Sequence, residues 1–382
     1  MKGNSKIVIV GIVLVALVLL GAFYSSPTTL FGLRNNSSDT IRIGWISDLS
    51  GSTAKYGSYE AGMLAVDEIN SQGGINGKKV ELVVEDGKCD AKEALSAIDK
   101  LLDIDGLKFI LGGHCTAESM AIAPVVQERG ALMLAAITSS PLLSNAGDNV
   151  FRTSAVSTIQ SDLLAKVAIN KGLKKMAIIY IQTSYAQPVA LEMKNVFTSL
   201  GGNVVLFEGF VKDTSDFRTI LQKANALGAD SFFFSTQTPD EAFYLLKQTK
   251  ELGLTQQIFG NDQAQNATIY SRDSTLQEGM IVAAPDMNMY SEKTKSFFEA
   301  YKAKYGKEVP FGVWTAESYD GVFIMAQAIE KYDGNVELIK KYLYSIDYEG
   351  ASGRIRMDAN GDGIREYKVK IMKDGKMVDL VN

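Results

Sequence analysis

The stretch Leu111-Gly-Gly-His-Cys-Thr-Ala-Glu-Ser119 decides how the rest of the chain is interpreted. The apolar run 109–111 predicts the end of a buried strand, and the apolar spacing of residues 117–129 predicts a helix. Two glycines separate them, so the connection is a tight turn. Because a helix N-terminus leaves backbone N–H groups unpaired and carries partial positive charge, this turn is suited to an anion such as a carboxylate. The Thr116 hydroxyl stands at the same point.

The overall composition is that of a folded protein. Of the 382 residues, 46% are hydrophobic and 22% charged, which is enough for one or two domains with a full core. The net charge of −5 gives no support for nucleic-acid binding. Because His114 is the only histidine, a histidine-rich metal site is not expected, and neither a metal nor a cofactor is predicted.

The N-terminus has the layout of an export segment. Lys2 and Lys6 precede an uninterrupted apolar run, residues 7–23. We interpret residues 1–24 as a signal or membrane-anchor segment, and the poor cleavage pattern favours an uncleaved anchor. Residues 25–40, rich in Ser, Thr and Asn, form a flexible tether in this interpretation. The remainder is then extracytoplasmic, in the periplasm or at the cell surface, and tethered to the membrane.

The two cysteines have two interpretations. In an exported protein a lone pair, here Cys89 and Cys115, favours a disulfide. The alternative makes Cys115 a nucleophile with His114 as its base. Adjacent residues on a turn rarely aim at one another, and no third group to orient the base is evident. The disulfide is therefore favoured, and no enzymatic activity is predicted.

Strands and helices alternate in two series, which predicts an α/β fold. The first series begins near Ile41 and the second near residue 158. Such alternation implies two doubly wound parallel sheets, each covered on both faces. Ligands of these folds bind at turns that follow the carboxyl ends of strands, and two similar units imply a cleft between them.

Five polar or aromatic residues fall at these turns. Asp262 supplies a carboxylate for an ammonium group. The hydroxyls of Thr116 and Ser139 stand near helix starts, where they suit a carboxylate. With the two aromatics Tyr56 and Tyr185, the set suits a zwitterion.

Two other loops resemble known motifs, but we interpret both as turns. Residues 73–79 resemble a phosphate-binding loop with one residue too few between the glycines, and a strand follows. Residues 358–363 resemble the start of a calcium loop. Its twelfth position is Val369, where a bidentate glutamate is needed, so calcium is only a minor alternative.

Taken together, the motifs resemble the extracellular solute-binding proteins of branched-chain amino-acid ABC transporters, the Leu/Ile/Val-binding type. The resemblance covers about residues 41–382 and depends on the order and spacing of many short runs. These runs are residues 43–51, 56–57, 65–70, 73–77, 85–90, 112–116, 151–153, 213–217, 251–254 and 357–362.

The resemblance implies a type I periplasmic-binding-protein fold, in which two lobes close on the ligand and the chain crosses between them three times. Lobe 1 would comprise residues 41–157 plus 286–352, and lobe 2 residues 158–285 plus 353–382. The family's disulfide falls on Cys89 and Cys115.

The resemblance also assigns roles by position. Thr116 and Ser139 match residues that bind the ligand carboxylate, and Asp262 matches an acidic residue that binds the ammonium. Gln237 departs from the pattern, because a tyrosine is common there, and this leaves the ligand side chain open. The predicted ligand-binding set is Tyr56, Cys115, Thr116, Thr138, Ser139, Tyr185, Gln237 and Asp262.

The function implied is capture of a small amino acid or related compound and its delivery to an ABC transporter permease. A branched-chain or other apolar amino acid is favoured, although the family also binds amides and urea. The soluble part would be monomeric. The first alternative is a sensor protein of the same fold, and the neighbouring genes would distinguish transport from sensing. The last alternative is a Cys115-dependent amidase.

Overall fold

The computed structural model describes residues 40–380. The predicted signal or anchor segment (1–24) and almost all of the predicted tether (25–40) lie outside this range, so they stay predictions. Within the described range, no helix combines the length and apolar character needed to cross a membrane.

Strands and helices alternate along most of the described chain, as predicted. The strands are β1 (Thr40–Ser47), β2 (Lys79–Asp86), β3 (Phe109–Leu111), β4 (Leu132–Ala135), β5 (Val150–Arg152), β6 (Lys175–Ile181), β7 (Asn203–Phe210), β8 (Ser231–Ser235), β9 (Gln257–Gly260), β10 (Ile281–Pro285), β11 (Asp347–Gly350), β12 (Gly353–Met357), β13 (Gly363–Ile364), β14 (Tyr367–Lys373) and β15 (Lys376–Asp379). The α-helices of residues 40–380 are α1 (Ser58–Ser71), α2 (Ala91–Asp99), α3 (Thr116–Glu128), α4 (Thr158–Asn170), α5 (Ala186–Ser199), α6 (Arg218–Ala226), α7 (Pro239–Glu251), α8 (Ala267–Arg272), α9 (Glu292–Tyr305), α10 (Val313–Lys331) and α11 (Val336–Tyr344).

Lobe 1 is built on a five-stranded parallel sheet with the order β2-β1-β3-β4-β5. Both faces of β3 and β4 are buried, which explains why these two strands are continuous apolar runs. Phe109 and Leu111 pack into the core shared with α1 and α10. Ile110, between them, packs into the opposite core with α2 and α3. The sheet is therefore doubly wound, as predicted.

Lobe 2 is built on a seven-stranded sheet with the order β15-β14-β10-β9-β8-β6-β7. Strands β6 to β10 are parallel to one another, as predicted. The hairpin β14–β15 adds two antiparallel strands at one edge. Strand β8 of this sheet is fully buried, with Phe232, Phe233 and Phe234 all inaccessible to solvent.

The C-terminal segment of the chain packs differently from the predicted division into lobes. Residues 353–364, expected in lobe 2, form β12 and β13 of a small sheet with β11. Ile355 and Met357 are buried in the core of lobe 1. The chain joins the second sheet only at Tyr367. We therefore propose residues 40–157 plus 286–365 for lobe 1, and 158–285 plus 366–380 for lobe 2. Three crossings between the sheets remain.

A buried ion pair fastens this segment to lobe 1. Arg152 Nε donates to Asp362 Oδ1 at 2.7 Å, and Arg152 Nη1 donates to the Ser140 carbonyl oxygen at 2.6 Å. In the same loop the Asp358 carboxylate accepts the backbone N–H groups of Asn360 and Asp362. Both carboxylates of the calcium-like stretch therefore have partners within the protein, and residues 359–361 form a turn and bend before β13.

Candidate ligand-binding site

The turn between β3 and α3 depends on close backbone approach. Gly112 has a φ of +124°, and a Cβ atom there would lie 2.5 Å from the carbonyl oxygen of Ile46. A Cβ on Gly113 would collide with the side chain of Glu118. Any larger residue would push α3 away from the sheet. The Gly-Gly pair thus lets α3 begin directly beyond the end of β3.

The start of α3 is held by a disulfide and a buried glutamate. Cys89 and Cys115 are bonded, with Cα atoms 5.2 Å apart, so the predicted disulfide is confirmed. Glu118 accepts hydrogen bonds from the backbone N–H groups of Cys115 at 2.7 Å and Cys89 at 3.0 Å. Burial raises the pKa of Glu118 to about 7. The cysteine-nucleophile alternative requires a free Cys115 thiol, which the disulfide removes.

The hydroxyl groups around this turn are used in two different ways. Thr138 Oγ1 lies 2.7 Å from Ser119 Oγ and donates to the carbonyl oxygen of Gly113 at 2.9 Å, which ties the β4 turn to the β3 turn. Thr116 and Ser139 are also buried, yet within residues 40–380 neither hydroxyl has a hydrogen-bond partner. Thr138 is therefore part of the framework, whereas Thr116 and Ser139 are available to a ligand.

Asp262 lies on the other side of the cleft, directly after β9. Its carboxylate is almost fully buried and accepts a hydrogen bond from the Tyr185 hydroxyl at 2.5 Å. Its backbone N–H donates to Gln160 Oε1 at 3.0 Å. Among the described residues no basic side chain forms an ion pair with it. Burial raises the pKa of Asp262 to about 6, against the opposing effect of the Tyr185 hydrogen bond.

Tyr56 joins the two sides of the cleft. Its hydroxyl donates to Gln263 Oε1 at 2.6 Å and lies 3.1 Å from the carbonyl oxygen of Gln237. The Gln237 side chain accepts from Thr183 Oγ1 at 3.1 Å within lobe 2. The two lobes are therefore in contact at the candidate site, and the Gln237 amide oxygen is engaged with its own lobe.

All eight predicted ligand-binding residues line one cavity between the lobes. The cavity has a volume of about 40 Å³, room for a few water molecules. It shares Tyr56, Cys115, Thr116 and Gln237 with an outer cleft of about 810 Å³. The inner cavity therefore adjoins a much larger cleft.

Six further residues line the cavity, and none of them is among the ligand-binding residues predicted from the sequence. They are Thr53, His114, Ile137, Gln263, Phe311 and Trp314. His114 and Ile137 are neighbours of predicted residues, so extending each predicted turn by one residue would have found them. Trp314 lies in the first turn of α10 and Phe311 lies just before that helix, and the two rings stack with 4.6 Å between their centroids. No local motif links these two rings to the turns of the first sheet.

The fold and the cleft together define a two-lobed solute-binding protein. The chain belongs to the periplasmic binding protein family, whose model matches residues 40–375. The resemblance inferred from the motifs, the type I fold and the substrate-binding role are therefore confirmed. This is a family of extracytoplasmic solute-binding proteins, not a family of enzymes.

Curated relatives and solved structures agree with this assignment. The chain is 27% identical over 337 residues to the leucine-, isoleucine-, valine-, threonine- and alanine-binding protein of Pseudomonas aeruginosa, covering 87% of this chain and 89% of the relative. The leucine-binding protein LivK of Thermotoga maritima is 26% identical, with a TM-score of 0.80 over 89% of this chain and 98% of that one. The branched-chain amino-acid transporter binding protein LivJ of Streptococcus pneumoniae, solved with isoleucine, is 26% identical, with a TM-score of 0.79 over 88% and 97% of the two chains.

Proposed function

We propose that the protein binds a small α-amino acid, of about the size of the branched-chain amino acids, and delivers it to an ABC transporter permease. The observation that carries this proposal is Asp262, a buried carboxylate without a basic partner among residues 40–380. A buried charge needs a partner of opposite sign, and an α-ammonium group is one. The relatives' binding of leucine, isoleucine and valine supports the same class of ligand.

The opposite end of the ligand would be held at the start of α3. A capping box pairs the backbone N–H groups of Cys115 and Glu118 at the start of this 13-residue helix, which leaves those of Thr116 and Ala117 to attract a carboxylate. The hydroxyls of Thr116 and Ser139 would donate to the same carboxylate. Tyr56, Tyr185 and Gln237 would surround the rest of the ligand, and Cys115 and Thr138 would shape the turns that hold it.

The soluble part would act as a monomer, and the N-terminal residues 1–24 would tether it to the membrane. Tethering keeps the binding protein at a high local concentration near the permease. Ligand would be captured by the open form and released to the permease by reopening of the lobes.

Thermal unfolding of the full chain with each of the twenty amino acids, urea and short amides tests the proposal. A ligand present at a hundred times its Kd stabilises the folded state by about 2.7 kcal/mol. For a protein of this size we expect the midpoint to rise by about 4 °C. The rise should be confined to a group of α-amino acids. A rise with urea or an amide alone would keep the fold and rule out the zwitterion site.

The affinity for the amino acid is expected to depend on pH through Asp262. Its pKa is about 6 in the free protein, and an ammonium partner lowers that pKa because it favours the charged carboxylate. Binding below about pH 6 must then release a proton. The Kd should be constant above about pH 7 and should rise below about pH 6, approaching tenfold per pH unit.

Calorimetry between about pH 5 and 8 measures this profile. Glu118 and Glu317 also titrate within this pH range, since burial raises the pKa of each to about 7. The Asp262→Asn variant separates the contribution of these glutamates from that of Asp262, because the rise of the Kd below about pH 6 should be absent in this variant. The same steep profile in the wild type and in this variant would assign the effect to the glutamates.

A further inference from the structure

His114 is a polar residue of the cavity wall that the proposed function leaves unused. It is the only histidine in the chain, its side chain is 6% exposed, and it lines the inner cavity. Within residues 40–380, its Nε2 atom is buried and has no hydrogen-bond partner. Buried polar groups are nearly always paired in folded proteins, so an exception that faces a ligand cavity calls for a partner from the ligand.

Three other polar side chains of the cavity wall are already paired within the protein. Thr53 Oγ1 donates to Asp48 at 2.7 Å, and the Tyr56 hydroxyl donates to Gln263 at 2.6 Å. Thr138 is bound to Ser119 and Gly113. His114 differs from these three side chains, because the protein framework itself does not use its buried nitrogen.

The surroundings of His114 are otherwise apolar and aromatic. Its ring centroid lies 6.0 Å from that of Tyr56, whose ring in turn packs at a tilt against Phe311 with 4.4 Å between centroids. Trp314 and Ile137 complete this wall. If Thr116, Ser139 and Asp262 hold the zwitterion, this wall is left to contact the ligand side chain.

The imidazole is neutral at physiological pH. Burial lowers the pKa of His114 to about 4, although Asp48 acts in the opposite direction. A neutral imidazole has one nitrogen that donates and one that accepts. It therefore suits an uncharged hydroxyl or amide group, which can pair with either nitrogen. It offers no charge to pair with a carboxylate.

We propose that His114 makes the site selective for a small α-amino acid whose side chain carries a hydroxyl or amide group, over the aliphatic amino acid of the same shape. This inference rests on the proposed function and refines the expected preference for an apolar ligand. A site built to hydrogen-bond a ligand group discriminates against the analogue that lacks it, because its own buried group is left unpaired.

Two pairs of ligands of matched shape test the inference: threonine against valine, and asparagine against leucine. We expect the full-length chain to bind the polar member of at least one pair about tenfold or more tightly in calorimetry. The variant His114→Leu should abolish or reverse that preference. His114→Gln, which keeps a donor and an acceptor, should retain part of it.

The single histidine also provides a direct signal in an untagged chain. In the wild type, the imidazole nitrogen resonances should show the shift of a new hydrogen bond with the preferred polar ligand and not with its aliphatic match. This readout does not require His114→Leu to fold.

Equal or tighter binding of valine and leucine would overturn the inference and leave the proposed function standing. The same holds for a polar preference that persists unchanged in His114→Leu. Failure of every α-amino acid to bind would overturn the proposed function, and this inference with it.

Discussion

Replacing Asp262 by asparagine is expected to weaken binding of the α-amino acid by about 30- to 4,000-fold. Removing one member of a buried, hydrogen-bonded charge pair costs about 2–5 kcal/mol, and each 1.4 kcal/mol is a factor of ten. Asparagine has the same shape as aspartate, and its amide oxygen can still accept the hydrogen bond from Tyr185. The fold should therefore survive, and the loss should appear in the Kd measured by calorimetry at neutral pH.

Two controls make this result specific. Asp240 borders the outer cleft, and its side chain is 77% exposed. Asp240→Asn should change the Kd by less than about threefold, because an exposed charge is screened by water. The second control is a carboxylic acid that carries the side chain of the amino-acid ligand but lacks its ammonium group. This acid should bind the Asp262→Asn variant at least as tightly as it binds the wild-type protein. Unchanged amino-acid affinity in Asp262→Asn would rule out the ammonium assignment.

Replacing Arg152 by methionine is expected to lower the free energy of unfolding by about 3–5 kcal/mol. Arg152 is 1% exposed, and its partner Asp362 is also buried. Removing one member of such a pair leaves the other charge buried without compensation. The variant also loses the hydrogen bonds from the guanidinium to Ser140 and Ser144. Urea unfolding monitored by circular dichroism measures the change through the midpoint and the slope.

An exposed ion pair in the adjoining small sheet provides the matched control. Arg354 and Asp347 pair with side chains that are 59% and 51% exposed. Arg354→Met should cost no more than about 1 kcal/mol. The double variant Arg152→Met with Asp362→Asn should lose clearly less than the sum of its two single variants, because no buried charge remains. Additive losses would mean that the Arg152–Asp362 pair is not coupled.

Much of the fold could be predicted because it depends on local patterns. Short segments of sequence are enough to predict the alternation of strands and helices and the tight turn at Gly112 and Gly113. They also predict that the site lies at the carboxyl ends of the strands. The predicted ligand-binding residues share one cavity because parallel strands end at the same edge of each sheet. Our proposal moves the predicted lobe boundary from residue 353 to residue 365, because strand pairing is not a local property. β12 pairs with the neighbouring β11, and Ile355 enters the core of lobe 1.

The sequence by itself determined the two α/β units, the disulfide partners and the acid-and-hydroxyl set suited to a zwitterion, because these follow from residue type, period and spacing. Only the tertiary structure decided what surrounds that set. Tyr56 meets Gln263 across 207 positions of sequence, and Trp314 joins the wall beside His114. Such contacts, and the burial that raises the pKa of Asp262, arise only when the two lobes are brought together. No short stretch of sequence contains that information.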